Sequence, residues 1–82
     1  MRFLIVEDHI GMADQLANGF DERDYSVKVV HNGEKGLFEA TEIDYTLAVI
    51  DLGLPGMSGL DLIKRLRAAG NTVPIIVLTA RV

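Results

Sequence analysis

Acidic side chains stand directly after two of the short apolar runs in this sequence. Glu7 and Asp8 follow the run RFLIV, and Asp51 follows the run LAVI. Carboxylates that are brought together repel one another unless a cation lies between them. Oxygen ligands of this kind suit Mg²⁺, and the absence of cysteine rules out disulfides and thiolate metal sites. The residue types therefore indicate a candidate magnesium site, provided that the fold brings these runs to a common edge.

Short apolar runs alternate with segments of helical periodicity along the chain. Four runs rich in β-branched or aliphatic residues predict buried strands over residues 2–6, 26–30, 47–50 and 74–78. Between them, apolar residues recur at helical spacing and predict helices over residues 10–23, around 36–40 and over 60–69. Asn32 and Ser58 are candidate N-caps, and Gly70 is the predicted stop of the third helix.

The predicted order, β-α-β-α-β-α-β, is typical of an α/β protein with a doubly wound parallel sheet. We expect one domain over residues 1–82, with right-handed crossovers that place helices on both faces of the sheet. Ligands of such sheets bind at the carboxyl ends of the strands. Thr79 follows the fourth strand and joins the acidic residues at that edge. A lone polar residue at a strand end is common, but the joint position of all four predicts one site.

The overall charge and the length of the apolar stretches argue against several kinds of function. Twelve acidic and eight basic side chains give a formal net charge of −4, which argues against nonspecific nucleic-acid binding. The one basic cluster, Lys64, Arg65 and Arg67, is interpreted as a solvated helix face. No apolar stretch has the length of a secretory signal or a membrane span, so we expect a cytoplasmic protein without membrane contact.

Three segments give the chain a specific resemblance. FLIVEDH, VIDLGLPGMSGLDLIKRLR and VPIIVLTAR resemble the leading motifs of the receiver domains of two-component response regulators, and the OmpR/PhoB-like subgroup in particular. The motifs occur in the family's order and spacing over essentially all 82 residues. The resemblance implies a CheY-like, flavodoxin-like fold and a signalling switch rather than an enzyme.

The resemblance also implies a set of metal ligands. Asp51 would be the phosphorylated carboxylate and a Mg²⁺ ligand, and Asp8 would bind the ion directly. Glu7 would hold it through a water molecule, and the backbone carbonyl of Gly53 would complete the protein ligands. Mg²⁺ is the one cofactor that these assignments imply.

Further implied roles concern the phosphoryl group and the partners. The hydroxyl of Thr79 and the backbone N–H of Ala80 would contact the phosphoryl group on Asp51. The phosphodonor would be a partner histidine kinase. In OmpR/PhoB relatives an effector domain binds DNA, so the full-length protein is expected to regulate transcription through a segment absent from this sequence.

The sequence departs from the family pattern at its C-terminal end. Receiver domains have five strands and five helices, whereas the motifs here stop after the fourth strand. We therefore expect an incomplete fold that lacks the fourth helix, the fifth strand with its phosphate-pairing lysine, and the fifth helix. Strand 74–78 would then be an exposed apolar edge, which predicts a dimer or larger assembly through that strand or by exchange of elements.

Other functions compete with the phosphoryl-accepting switch. The strongest alternative is a receiver-like fragment that is not phosphorylated and acts through protein–protein association alone. A hydrolytic phosphotransferase is disfavoured because Gly53 stands where such enzymes commonly carry a second aspartate. A nucleotide-binding role is disfavoured because no glycine-rich phosphate motif follows a strand.

His9 is expected to face solvent at a helix entrance, and His31 has no partner that the pattern indicates.

Overall fold

The alternation of strands and helices predicted from the sequence is the alternation that the fold adopts. The computed structural model describes residues 1–21, 23 and 25–79. Within them the elements are β1 (Arg2–Val6), α1 (Ile10–Asp21), β2 (Ser26–Val30), α2 (Gly33–Glu42), β3 (Leu47–Asp51), α3 (Gly59–Ala68) and β4 (Ile75–Leu78).

The four strands form one parallel sheet in the order β2-β1-β3-β4. Val6, the last residue of β1, pairs with Val30 on one side and Ile50 on the other. Asp51 pairs with Leu78 at the end of β4. Because the strands run in the same direction and in register, their carboxyl ends share one edge of the sheet. The predicted doubly wound α/β fold is confirmed.

Helices cover the sheet on both faces. On one face, α2 and α3 pack over the strands in a core cluster made of Leu4, Val6, Val30, Ala40, Ala48, Ile50, Leu54, Leu62 and Leu66. On the other face, α1 buries Ala13 completely. There the ring of Phe3 lies 4.7 Å from that of Phe20 and 4.8 Å from that of Tyr25, measured between centroids.

The predicted capping residues occupy their predicted positions. Asn32 precedes α2, and its side-chain oxygen accepts a hydrogen bond from the backbone N–H of Lys35 at 2.9 Å. Ser58 does the same for α3, where its hydroxyl accepts from the N–H of Asp61 at 3.1 Å. Gly70 follows α3 with a φ of 81°, the left-handed conformation that favours glycine.

The bounds of three elements differ from the prediction. The first helix ends at Asp21 rather than at Arg23, whose N–H instead donates to the carbonyl of Phe20 in a tight turn. The fourth strand begins one residue after Pro74, which has no N–H to contribute to the ladder. The third helix runs one residue earlier at both ends, from Gly59 to Ala68.

Within the described part of the chain, the helices are all too short or too polar to cross a membrane.

Candidate functional site

The acidic residues singled out in the sequence meet at the carboxyl edge of the sheet. Glu7 and Asp8 follow β1 directly, and Asp51 is the last residue of the neighbouring strand β3. Each offers a carboxylate oxygen, and these three atoms all lie within 4.8 Å of one another. Among the described residues this is the one group of three or more acidic, histidine or cysteine ligands that is close enough to share a metal ion.

Burial shifts the protonation of Glu7 in this cluster. Only 5% of Glu7 and 9% of Asp51 is exposed, whereas Asp8 faces solvent. Burial raises the pKa of Glu7 from 4.5 to about 7, and a hydrogen bond with Asp51 and the charge of that carboxyl act in the same direction. A hydrogen bond from the backbone of His9 partly offsets the rise in the pKa. The ionised form of Glu7 is therefore disfavoured at this buried position.

A divalent cation fits this cluster chemically. The donors are all carboxylate oxygens, and hard oxygen ligands together with several retained water molecules are what Mg²⁺ prefers. The exposed carboxylate of Asp8 leaves one side open to water. A bound cation would also offset the effects of burial and of the neighbouring Asp51 on the pKa of Glu7, since an opposite charge nearby favours the ionised form.

The segment after β3 holds the Asp51 carboxylate in place. The backbone N–H of Gly53 donates to Oδ1 of Asp51 at 3.0 Å, which restricts rotation of the carboxylate. Gly59 begins α3 in close contact with the backbone of Asp51, because a Cβ at Gly59 would collide with the carbonyl oxygen of Asp51. The start of α3 is thus packed directly against the residue at the centre of the site.

An open cleft of about 680 Å³ leads to the cluster. Besides the three acidic residues, it is lined by His9, Met12, Leu52, Gly53, Leu78 and Thr79. The structure thus brings Thr79 and Gly53 to the same cleft as the carboxylates, as the sequence predicts. Ala80, whose backbone N–H was predicted to contact a phosphoryl group, lies outside the described residues.

His31 has a contact that the sequence pattern does not indicate. Its Nδ1 lies 2.9 Å from the backbone carbonyl oxygen of Glu7, so the residue does have a partner. The signal that could have indicated it is register. Val6 and Val30 pair at the ends of β1 and β2, and the residues that follow them, Glu7 and His31, are therefore neighbours.

His9 lies at the entrance of α1 and faces solvent, as expected. Its backbone N–H donates to Oε2 of Glu7 at 3.3 Å. Its ring Nδ1 accepts a hydrogen bond from the N–H of Met12 at 3.1 Å and so caps the first turn of the helix. The residue therefore links the acidic cluster to α1 without offering a ligand to it.

Known proteins with similar sequences include response regulators and transcriptional regulatory proteins. The family profile for the response regulator receiver domain matches residues 3–82. The two-component response regulator PhoP of Pseudomonas aeruginosa is 47% identical over 81 residues, which cover 99% of this chain and 36% of that protein. The transcriptional regulatory protein HprR of Escherichia coli is 38% identical over 81 residues, again 36% of its length. The chain thus spans about a third of the length of these relatives.

Solved structures give the same picture for the fold. The receiver domain of the Francisella response regulator 1452 superimposes with a TM-score of 0.92 at 29% identity, over 96% of this chain and 65% of that one. The response regulator TrrA of Thermotoga maritima, in complex with Mg²⁺-BeF, gives 0.91 at 31% identity, over 98% of this chain and 70% of that one. With the profile match over residues 3–82 and OmpR/PhoB-type regulators among its relatives, the chain belongs to the response regulator receiver domain family.

Proposed function

We propose that the protein is a signalling module whose Asp51 accepts a phosphoryl group from a partner histidine kinase in a Mg²⁺-dependent reaction. The observation that carries the proposal is the meeting of Glu7, Asp8 and Asp51 within 4.8 Å at the carboxyl edge of the sheet. Membership of the receiver domain family supports the same reading, because response regulators of this kind act in two-component signalling.

The proposed ligands are those that the resemblance implies. Asp8 and Asp51 would hold Mg²⁺ through their carboxylates, Glu7 through water, and Gly53 through its backbone carbonyl. Mg²⁺ held by these residues would supply the charge neutralisation of the acidic cluster and of the phosphoryl oxygens that phosphoryl transfer mainly requires. Support comes from the all-oxygen donor set and from the Mg²⁺-BeF complex of the similar regulator TrrA.

The residues of this chain have distinct parts in the proposed transfer. An oxygen of Asp51 forms a bond to phosphorus while the bond from phosphorus to the donor imidazole nitrogen breaks, which leaves an acyl phosphate on Asp51. The N–H of Gly53 holds one oxygen of the carboxylate and limits its orientations. The Thr79 hydroxyl and the Ala80 N–H then contact the phosphoryl oxygens, so that phosphorylation changes the geometry at the end of β4.

A substitution of Asp8 tests the metal site. We expect amide resonances around residues 7, 8, 51 and 53 to shift on titration with Mg²⁺, with saturation at one ion per chain. Asp8→Asn should weaken this binding at least tenfold because it removes the charge of a carboxylate that is proposed to bind the ion directly. Thr72→Ala, at an exposed position before the amino end of β4, should leave it unchanged. Shifts spread over the surface, or equal affinity in both variants, would contradict the proposed site.

A second candidate function is association without phosphorylation. Within the described lining of the cleft there is no lysine or arginine to pair with a phosphoryl group. The edge strand β4 also exposes apolar side chains, with 50% of Ile76 and 46% of Val77 accessible. In this alternative, residues 1–82 form a receiver-like domain that self-associates through β4 or by exchange of elements.

The relatives support a proposal about the full-length protein. PhoP is named a two-component response regulator, and HprR is named a transcriptional regulatory protein. Both are about three times as long as this chain. We propose that residues 1–82 belong to one receiver domain of a cytoplasmic transcriptional regulator. Contact with DNA would then be made by an effector domain outside this sequence.

A further inference from the structure

The peptide groups around Glu7 are held by the end of β2. The N–H of Glu7 donates to the carbonyl of Val30 at 3.1 Å, which continues the ladder between β1 and β2 by one bond. The carbonyl of Glu7 lies 2.9 Å from Nδ1 of His31. Since the paired residues of the ladder end at Val6 and Val30, the His31 side chain supplies the hydrogen bond that a further strand residue would otherwise make.

This hydrogen bond fixes the peptide group from which Asp8 extends. The carbonyl of Glu7 and the N–H of Asp8 belong to one planar unit, so an anchor on the carbonyl also sets the direction in which the chain continues. Asp8 is exposed, and burial therefore does little to hold it. Its distance from Glu7 and Asp51 depends strongly on the backbone that precedes it.

The chemistry of the contact determines which nitrogen carries the proton. A carbonyl oxygen only accepts hydrogen bonds, so Nδ1 of His31 must be the donor. His31 is itself exposed, and its ring is therefore not part of the packed core. An asparagine side chain can place an amide N–H at a similar distance from the backbone, whereas alanine offers no donor.

We propose that His31 is a positioning residue of the metal site: it anchors the Glu7 carbonyl and thereby holds the Asp8 carboxylate where a divalent cation can bind. His31 touches neither the ion nor the phosphoryl group in this scheme. The proposal rests on the proposed function in one respect, that Asp8 is a Mg²⁺ ligand. Residues that orient metal ligands in this way typically change metal affinity by about 10–100-fold when they are removed.

The test compares His31→Ala with His31→Asn and with Lys28→Ala, a change at an exposed position of β2, the strand that ends just before His31. The first measurement needs no metal: the ¹⁵N order parameter of the Asp8 amide should fall in His31→Ala and recover in His31→Asn. The second is the Mg²⁺ dissociation constant, which should rise about tenfold in His31→Ala and stay within about twofold in the other two variants.

The outcomes separate this proposal from the proposed function. An unchanged Asp8 amide in His31→Ala overturns the positioning role, as does a mobile Asp8 with unchanged Mg²⁺ affinity. If the unmodified chain does not bind Mg²⁺ at residues 7, 8 and 51, the proposed function fails, while the order parameter still decides whether His31 positions Asp8. Should His31→Ala fold poorly, the unmodified chain supplies the deciding signal: a ring spectrum without a proton on Nδ1 of His31 overturns the proposal.

Discussion

At the scale of single residues, Glu7 shows how burial and charge conflict in this site. Its carboxyl is almost completely enclosed and lies beside that of Asp51, so its pKa rises to about 7. In the unfolded chain the same group has its ordinary pKa of 4.5. The folded protein therefore binds the Glu7 proton more tightly than the unfolded protein does, and folding stability depends on pH.

We expect the metal-free protein to lose stability as the pH rises from 4.5 to about 7. The stabilising contribution of protonated Glu7 is complete below the unfolded pKa and disappears as the pH passes the folded pKa. The loss is at most about 3–4 kcal/mol, because a tenfold change in proton affinity corresponds to about 1.4 kcal/mol. Urea unfolding at a series of pH values, with a chelator present, measures it.

Glu7→Gln is the control for this pH dependence. The amide cannot ionise, so the variant should show a flatter stability profile between pH 4.5 and about 7. Saturating Mg²⁺ should offset the loss in the unmodified protein, since a ligand that binds only the folded state stabilises it. An unmodified protein whose stability rises with pH over this range would show that Glu7 is not held in its protonated form.

At the scale of elements, the start of α3 is the part of the fold most closely tied to the site. Gly59 lies so near the backbone of Asp51 that any side chain there would displace either the helix or the strand end. Gly19, in α1, is a contrasting position, because a Cβ added there meets nothing within 4 Å. The two glycines allow the same substitution to be made next to the site and away from it.

We expect Gly59→Ala to lower the free energy of unfolding by about 1–3 kcal/mol, the usual cost of forcing extra atoms into packed structure. Mg²⁺ binding should weaken as well, because the shift acts on Asp51. Gly19→Ala should instead stabilise the protein by up to about 1 kcal/mol, since alanine favours a helix more than glycine does. Chemical unfolding and Mg²⁺ titration of both variants check this, and equal effects would contradict the packing at Gly59.

The helices and their ends could largely be predicted from the sequence because the interactions that determine them are local. Asn32 and Ser58 cap helices through hydrogen bonds to residues three positions on, and Gly70 adopts the backbone conformation that its type favours. The His31 contact with Glu7 spans 24 positions and depends on how β1 and β2 pair, so residue types alone could not indicate it. The depth of burial that shifts Glu7 is likewise a property of the assembled sheet.

The convergence of the acidic residues was predictable for a different reason. Parallel strands with helical crossovers bring their carboxyl ends to one edge, so Glu7, Asp8 and Asp51 had to approach once the alternation was recognised. The sequence could not give the separations between their oxygens or the difference in burial between Asp8 and Glu7. Those depend on the turns after β1 and β3, where the contacts of His31 and Gly53 act.

At the scale of the whole molecule, β4 is the feature with the largest consequence for behaviour in solution. It pairs with β3 on one side and forms an edge of the described sheet on the other. Ile76 and Val77 point to opposite faces of the sheet and are each about half exposed. A parallel edge strand with apolar side chains is a template for pairing with another chain.

We expect the polypeptide of residues 1–82 to self-associate at micromolar concentration. Ile76→Lys should reduce the association because a charge on an edge strand opposes pairing. Ile10→Lys, the same change on an exposed residue of α1, should have little effect. Light scattering over a concentration series gives the mass of each variant, and a compact monomer for the unmodified chain at all concentrations would contradict the expectation.

Asp51 is proposed to accept a phosphoryl group with the help of Mg²⁺. The most direct measurement is the intact mass of the protein after incubation with a small-molecule phosphodonor, with Mg²⁺ or with a chelator. We predict a gain of one phosphoryl group, about 80 Da, that requires Mg²⁺ and is absent from Asp51→Asn. No gain with Mg²⁺ present, or an equal gain in Asp51→Asn, would contradict the account, and the former result would favour association without phosphorylation.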